Sequence, residues 1–244
     1  MSAIDKRIEL YRKRLKGSAL YPIVREALKY LRKLNRPQRF NVYHRNVSEI
    51  RKKFLKNNDI KVLNLGCGLR QNASNVINID IIYNSNVNIV SDAHYLPFAD
   101  SVFDAVWFEA VLEHLKNPYQ AKNEILRTLK SEGYLYLEIP FFQGEHDTPY
   151  DYQRFTMNGL RNLFGDFDII EMQVVSGPAS ALSHTLRHFL SVLFSFNTQG
   201  AYKFFNGYIF SYVTFWIKYF DYFIINNINS RYLCFGYSLL CQKR

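Results

Sequence analysis

The stretch Ile60–Asp80, IKVLNLGCGLRQNASNVINID, constrains the fold of this 244-residue chain more than any other. Val62-Leu63-Asn64-Leu65 is a brief apolar run followed at once by glycine, the pattern of a buried parallel strand. In the turn Gly66-Cys67-Gly68, two glycines permit positive φ and carry no Cβ, so a ligand can lie close against the backbone. Val76-Ile77-Asn78-Ile79 reads as a second strand that ends in Asp80. A carboxylate at that tip is placed to accept hydrogen bonds from a ribose diol. Together these features predict a nucleoside site at the carboxyl edge of an open α/β sheet.

Two kinds of nucleoside cofactor use such a turn, nicotinamide dinucleotides and S-adenosylmethionine. The dinucleotide fingerprint asks for a third glycine where this chain has Gln71. Only 12 residues separate Gly68 from Asp80, too few for a full crossover helix. A pyrophosphate wants a helix N-terminus to sit on, and here that helix would be vestigial.

The length fits one domain with elaborations. The net charge of +10 is uneven: residues 1–60 hold 17 Lys/Arg against 5 Asp/Glu, and the rest of the chain is close to neutral. A basic arm favours anionic partners. Cys67, Cys234 and Cys241 show neither disulfide nor metal spacing, as in a reduced, cytoplasmic protein. No signal peptide is visible, because no apolar stretch follows the charged N-terminus.

In chain order, residues 4–34 read as two amphipathic basic helices and Ser48–Asn57 as a third. Val87–Val90 is a third strand, followed by Asp92-Ala93, where a carboxylate and a small neighbour suit an adenine ring. Leu96-Pro97-Phe98 reads as a turn over the core that also shapes that pocket. Phe103–Phe108 is the fourth strand, ending in Glu109, with Leu112-Glu113-His114 just beyond. Asn117-Pro118 starts a helix that Gly133 is expected to end, and Tyr134–Ile139 is the fifth strand. The loop after it gathers Glu145, His146, Asp147, Asp151 and Arg154 at the ligand-binding edge of the sheet, which fits an acceptor site with a general base. Thr156 caps a helix through Phe164, and Phe167–Val175 is a sixth strand.

A helical detour follows. Ser183–Phe196 reads as helix, with His184 and His188 facing solvent. The segment 201–225 is apolar and aromatic nearly all round, yet its cleanest run, Tyr208–Ile217, falls short of the ~20 residues of a membrane span. It reads as a contact with a bilayer interface or with another subunit. Tyr232–Gln242 is a last strand that can return to the sheet antiparallel. The expected division is a basic arm (1–58), a core (59–176), an aromatic helical insertion (177–230) and a final core strand (231–244).

The ordered set LNLGCG (63–68), INID (77–80), SDAHYLPFADSVFD (91–104), VLEHLKNP (111–118) and EILRTLKSEGYLYLEIP (124–140) resembles the class I S-adenosylmethionine-dependent methyltransferases with a type 11 methyltransferase domain. The resemblance implies a Rossmann-like sheet of seven strands with the last antiparallel. It implies S-adenosylmethionine as cofactor, with Gly66, Cys67 and Gly68 along the methionine moiety, Asp80 on the ribose, and Asp92 and Ala93 at the adenine. Leu65, Ile81 and Glu109 complete the expected cofactor edge. Two departures stand out. The acidic residue usual two before the first glycine is Asn64, an uncharged acceptor for the cofactor's amino group, and Arg70 stands near the usual third glycine, where it could meet the carboxylate. EHDTPYDYQRFT (145–156) and SGPASAL (176–182) look like a subgroup met in bacterial surface-glycan gene sets.

The expected reaction is methyl transfer to a hydroxyl of a small or lipid-linked glycan-type acceptor. His146 is the first candidate for the base, because imidazole titrates near neutrality. Asp147 or Asp151 would orient it, His114 is the second candidate, and no metal is expected. Expected partners are the acceptor, an anionic membrane surface met by the N-terminal helices and residues 201–225, and a second copy of the chain. A non-catalytic scaffold is the rival reading. Nucleic acid is disfavoured, since FEAVLEH (108–114) is not the polar loop that stacks on a flipped base.

Overall fold

The computed structural model describes residues 22, 26, 54, 57, 59–68, 73–146 and 150–244. The helices expected within residues 4–34 and 48–57, together with Arg70 and Asp147, lie outside the described residues apart from Pro22, Glu26, Phe54 and Asn57. The chain divides into two compact units, residues 39–176 with 228–244, and residues 1–38 with 177–227.

The first unit carries a seven-stranded sheet. Its strands are β1 (Val62–Leu65), β2 (Val76–Asp80), β3 (Ile89–Val90), β4 (Phe103–Glu109), β5 (Leu129–Pro140), β6 (Phe167–Ser176) and β7 (Gly236–Lys243). Their spatial order is β3-β2-β1-β4-β5-β7-β6. β1 to β5 run parallel, and β7 enters antiparallel between β5 and β6. This is the Rossmann-like sheet that the resemblance implied. All four β1 residues are buried, as a central strand covered on both faces requires.

Alternation along the strands sorts the core into two faces. Leu63, Leu65, Val106, Phe108, Leu135 and Leu137 belong to one cluster, together with Ala121 and Ile125 of helix α1 (Pro118–Thr128) and Leu160 and Leu163 of α2 (Met157–Leu163). Val62, Val76, Ala105, Trp107, Tyr136 and Leu240 pack with Phe54 on the other. Both helices start as their sequences demand: Asn117 Oδ1 accepts from Gln120 N at 3.2 Å with Pro118 at the first helical position, and Thr156 Oγ1 accepts from Gly159 N at 3.1 Å.

Several boundaries differ from the sequence reading. α1 ends at Thr128, not Gly133, because Leu129 already pairs with Phe103 in the sheet. Gly133 lies inside β5, where an added Cβ would come within 2.9 Å of Lys130 O. The third strand shortens to two residues, since only Ile89 and Val90 find partners in β2. The last strand starts at Gly236 because residues Ile228–Tyr232 form a 3-10 turn first.

The described part of the second unit is helical. α3 (Pro178–Leu193) begins five residues earlier than expected, its first turn anchored by Asp221, which accepts from Ala179 N at 2.8 Å and Ser180 N at 2.9 Å. The segment expected as one helix is instead a chain of short pieces. These are α4 (Gln199–Phe204), a π turn (Phe205–Ile209), α5 (Phe210–Thr214), a 3-10 stretch (Phe215–Phe220) and α6 (Asp221–Ile224). Ser211 and Thr214 hydroxyls bond back to the carbonyls of Gly207 and Phe210, the local competition that bends helices. His184 and His188 are half-buried rather than solvent-facing, and His188 Nδ1 meets the Tyr202 hydroxyl at 2.5 Å.

Candidate functional site

The parallel strands β1 to β4 end, in turn, at Leu65, Asp80, Val90 and Glu109, so one sheet edge collects the glycine turn and the acids predicted beside it. Gly66 and Gly68 both adopt positive φ, +66° and +54°. The two need glycine for different reasons. A Cβ on Gly66 would lie 2.1 Å from Val111 Cγ2, so close packing excludes one there. A Cβ on Gly68 would meet nothing within 4 Å among the described residues, so on that side the backbone is open to close approach by a ligand.

Asp80 locks this turn. Its Oδ2 accepts from Gly68 N at 2.9 Å and its Oδ1 from Ile82 N at 3.0 Å. An ionised carboxylate offers about four acceptor sites, so capacity remains for a diol. Ile81 beside it is 55% exposed. Leu65 is buried, so only its backbone faces the turn. Cys67 N donates to Ile79 O at 3.1 Å, and burial, reinforced by the Asp80 charge, pushes its thiol pKa up.

A series of asparagines ties the turn to the second strand. Asn64 Nδ2 donates to Asn78 Oδ1 at 3.0 Å, Asn78 Nδ2 to Asn86 O at 3.0 Å, and Asn84 Nδ2 to Gly68 O at 2.9 Å. Asn64 is thus a buried member of the scaffold as well as a neighbour of the turn. The sequence reading did not single out Asn78, a polar residue within the second strand, or Asn84, which looks like an ordinary loop polar.

Asp92 and Ala93 follow β3. Asp92 Oδ1 accepts from His94 N at 2.9 Å and lies 2.6 Å from His94 Nδ1, while His94 Nε2 accepts from Asn117 N at 3.1 Å. Burial pushes the Asp92 carboxyl up, but the His94 contacts outweigh it and the net shift is downward. Ala93 is buried. The Leu96–Phe98 turn is pinned by helix α1: Leu96 N donates to Glu124 Oε2 at 2.8 Å, and Arg127 reaches Phe98 O at 2.7 Å and Leu96 O at 3.1 Å. Glu109, the last residue of β4, is buried.

Beyond β4 a second cluster forms. Glu113 and His114 lie on a 3-10 turn (Leu112–His114), and His146 and Asp151 lie on the loop after β5. Tyr152 N donates to Glu113 O at 2.8 Å and Gln153 Nε2 to Leu115 O at 2.8 Å, which straps the loop to the turn. The rings of His114 and His146 meet edge to face, 5.0 Å between centroids.

Each imidazole is oriented through Nδ1. His114 Nδ1 lies 2.5 Å from Tyr150 O, a carbonyl that can only accept, so this nitrogen carries the proton. His146 Nδ1 lies 3.1 Å from Asp151 Oδ2, closer than the 3.5 Å to Gln143 Nε2 and to Arg154 Nη2, so the carboxylate favours the same tautomer. Arg154 in turn grips Asp151, donating to its Oδ2 at 2.7 Å, and holds its carboxyl well below the usual range, at about 2. Both Nε2 atoms then face Glu113 Oε1, at 3.7 Å from His114 and 3.8 Å from His146.

Glu113 is fully buried, and neither carboxylate oxygen has a hydrogen-bond partner among the described residues. Burial pushes its pKa up to about 7, against the lowering pull of its own backbone N–H, His114 and Arg154. Burial also lowers the His146 pKa, against the raising effect of Asp151. The sequence reading offered His146 and His114 as alternatives for the base; the fold brings them together beside Glu113 and Arg154.

The chain matches a family model described as a methyltransferase domain over residues 63–137, from β1 into β5. Among solved structures it is similar to a putative sarcosine dimethylglycine methyltransferase from Galdieria sulphuraria, at 12% identity and a TM-score of 0.50, covering 94% of this chain and 89% of that one. It is also similar to a putative methyltransferase from Bacillus halodurans, at 14% identity and a TM-score of 0.47, covering 80% and 97%. A third similar structure is the [4+2]-cyclase SpnF, at 19% identity and a TM-score of 0.46, covering 75% and 74%. Likeness at such identities speaks to fold alone. No curated protein matches. The domain match runs through the glycine turn, Asp80, Asp92 and Glu113-His114, so residues 63–137 carry a methyltransferase domain of the S-adenosylmethionine-dependent class.

Proposed function

We propose that the chain methylates a hydroxyl group on a small or lipid-linked, glycan-type acceptor. The reading rests chiefly on one observation: an imidazole, His146, oriented by Asp151 on the loop that follows β5 of the sheet. The bound cofactor supplies a sulfonium methyl group to an incoming nucleophile. The chain supplies the cradle, the orientation and the proton acceptor. Asp80, Gly66 and Gly68 hold the ribose and methionine portions, and Asp92 and Ala93 receive the adenine. His146 Nε2 takes the hydroxyl proton, and Asp151, held by Arg154, keeps Nδ1 protonated and stabilises the imidazolium that forms. His114 stands beside it as a second proton acceptor. Alignment of the oxygen with the methyl group supplies much of the rate.

A lipid-linked acceptor would place the chain at a membrane face. Phe204, Tyr212, Trp216, Phe220 and Phe223 of the second unit are each more than half exposed or close to it, which supports an interfacial contact. No described helix is long and apolar enough to cross a membrane. The test is methyl transfer from labelled S-adenosylmethionine to a panel of hydroxyl-bearing glycans, free and lipid-linked, by the natural chain and by His146→Ala. Loss of turnover with cofactor binding retained is expected. Full turnover by the variant would remove His146 from the mechanism.

A further inference from the structure

Glu113, His114 and His146 each offer one ligating atom, and the three atoms lie within 4.8 Å of one another. Three features make this more than a chance gathering. First, both Nδ1 atoms are engaged by acceptors, Tyr150 O for His114 and Asp151 for His146. That leaves the Nε2 lone pairs facing the same carboxylate oxygen, Glu113 Oε1. An acceptor behind the distal nitrogen is how metal-binding histidines are usually oriented. Second, Glu113 is fully buried with both oxygens lacking a hydrogen-bond partner among the described residues. A buried, unsatisfied carboxylate is costly unless a cation or donor meets it. Third, Arg154, the nearby cation, is already engaged with Asp151 and with the carbonyls of Gln143 and Gly144.

We propose that Glu113, His114 and His146 bind one divalent first-row transition-metal ion. Two imidazoles and one carboxylate suit Zn²⁺, Fe²⁺, Co²⁺ or Mn²⁺ far better than Ca²⁺, which prefers oxygen alone. Ligand bonds of ~2.0–2.2 Å put neighbouring ligand atoms about 3–3.5 Å apart. The 3.7 and 3.8 Å separations need to close by only a few tenths of an ångström, and the third, within 4.8 Å, by little more than one ångström at most. Three protein ligands leave at least one coordination position open.

The binding site stands on this geometry alone; its part in turnover rests on reading the cluster as the acceptor site. Metal and proton compete for Nε2 of His146. In the loaded protein the acceptor hydroxyl binds the ion, loses its proton to solvent because the bound oxygen is more acidic, and presents an oxyanion to the methyl group. In the metal-free protein His146 takes the proton directly.

The test uses the full chain freed of metal by chelator dialysis and titrated with Zn²⁺ and with Co²⁺. Calorimetry gives the stoichiometry, and the visible absorption of Co²⁺ reports nitrogen and oxygen ligation. One equivalent per chain is expected, with affinity falling at least tenfold in each of His114→Ala, His146→Ala and Glu113→Gln. Unchanged S-adenosylmethionine binding in those variants is the control for folding. Binding well below one equivalent, or equal binding by all three variants, overturns the proposal. Glycan turnover with and without chelator separates this inference from the function it builds on. Turnover that survives chelator but is lost in His146→Ala keeps methyl transfer and removes the ion from it. Stoichiometric metal without turnover on any hydroxyl acceptor keeps the site and removes the proposed function.

Discussion

His114 and His146, 32 positions apart in sequence, meet edge to face at 81° with their ring centroids 5.0 Å apart. Neither ring could be held this way by its own segment. The 3-10 turn after β4 supplies one, the loop after β5 supplies the other, and a main-chain bond from Tyr152 N to Glu113 O ties the two segments together. The arrangement joins two adjacent strand ends at the edge where the glycine turn sits.

Gly66 is held by packing as well as by its backbone angle. Gly66→Ala would force a Cβ to 2.1 Å from Val111 Cγ2 at a φ of +66°. The expected loss of stability is on the order of 2–4 kcal/mol. Thermal unfolding measures it, and Gly66→Ala with Val111→Ala should recover the steric part while keeping the backbone part. An unchanged melting temperature in the single variant would contradict this packing.

Asn84 supports the turn from outside. Asn84→Ala removes its bond to Gly68 O, and a neutral hydrogen bond is worth about 1 kcal/mol. S-Adenosylmethionine should bind about fivefold more weakly, with little change in melting temperature. Calorimetry on the variant checks this; an affinity equal to that of the natural chain would separate Asn84 from the cofactor site.

His188 gives the second unit a pH response. Burial, with the nearby Arg187 charge, lowers its pKa to about 4 in the folded chain. An unfolded histidine titrates near 6.5, so the unfolded chain binds the proton first as the pH falls. Stability contributed by neutral His188 is therefore full above pH ~6.5 and declines down to pH ~4. His188→Gln should flatten that part of the curve of unfolding free energy against pH. A slope identical to that of the natural chain would contradict the assignment.

The part of the sheet around the glycine turn was legible because it is local. Strand, glycine turn, second strand and Asp80 sit within one 21-residue stretch, and each carries its own pattern. The sheet followed from short apolar runs separated by turn residues, and its antiparallel β7 from the position of the last run after a helical detour. The acceptor side was less legible. Glu113 in VLEHL looks like an ordinary helix-end carboxylate, and only tertiary packing shows it buried among histidines from two segments. Gly133 misled as a helix stop because glycine serves equally at a crowded position in a strand. The aromatic stretch 201–225 misled as a single helix: the periodicity is helical, but hydroxyl back-bonding and a π turn break it.

Asp80 carries the central claim, that the glycine turn and the tip of β2 hold the ribose of S-adenosylmethionine. The direct measurement is titration calorimetry of S-adenosylmethionine and S-adenosylhomocysteine against the natural chain and Asp80→Ala, with NAD as control. Hydrogen bonds to a charged acceptor are worth about 1.5–3 kcal/mol, so the variant should bind both ligands about 10- to 150-fold more weakly. The natural chain should bind both and leave NAD unbound. Equal affinity in Asp80→Ala, or preference for NAD, would contradict the account.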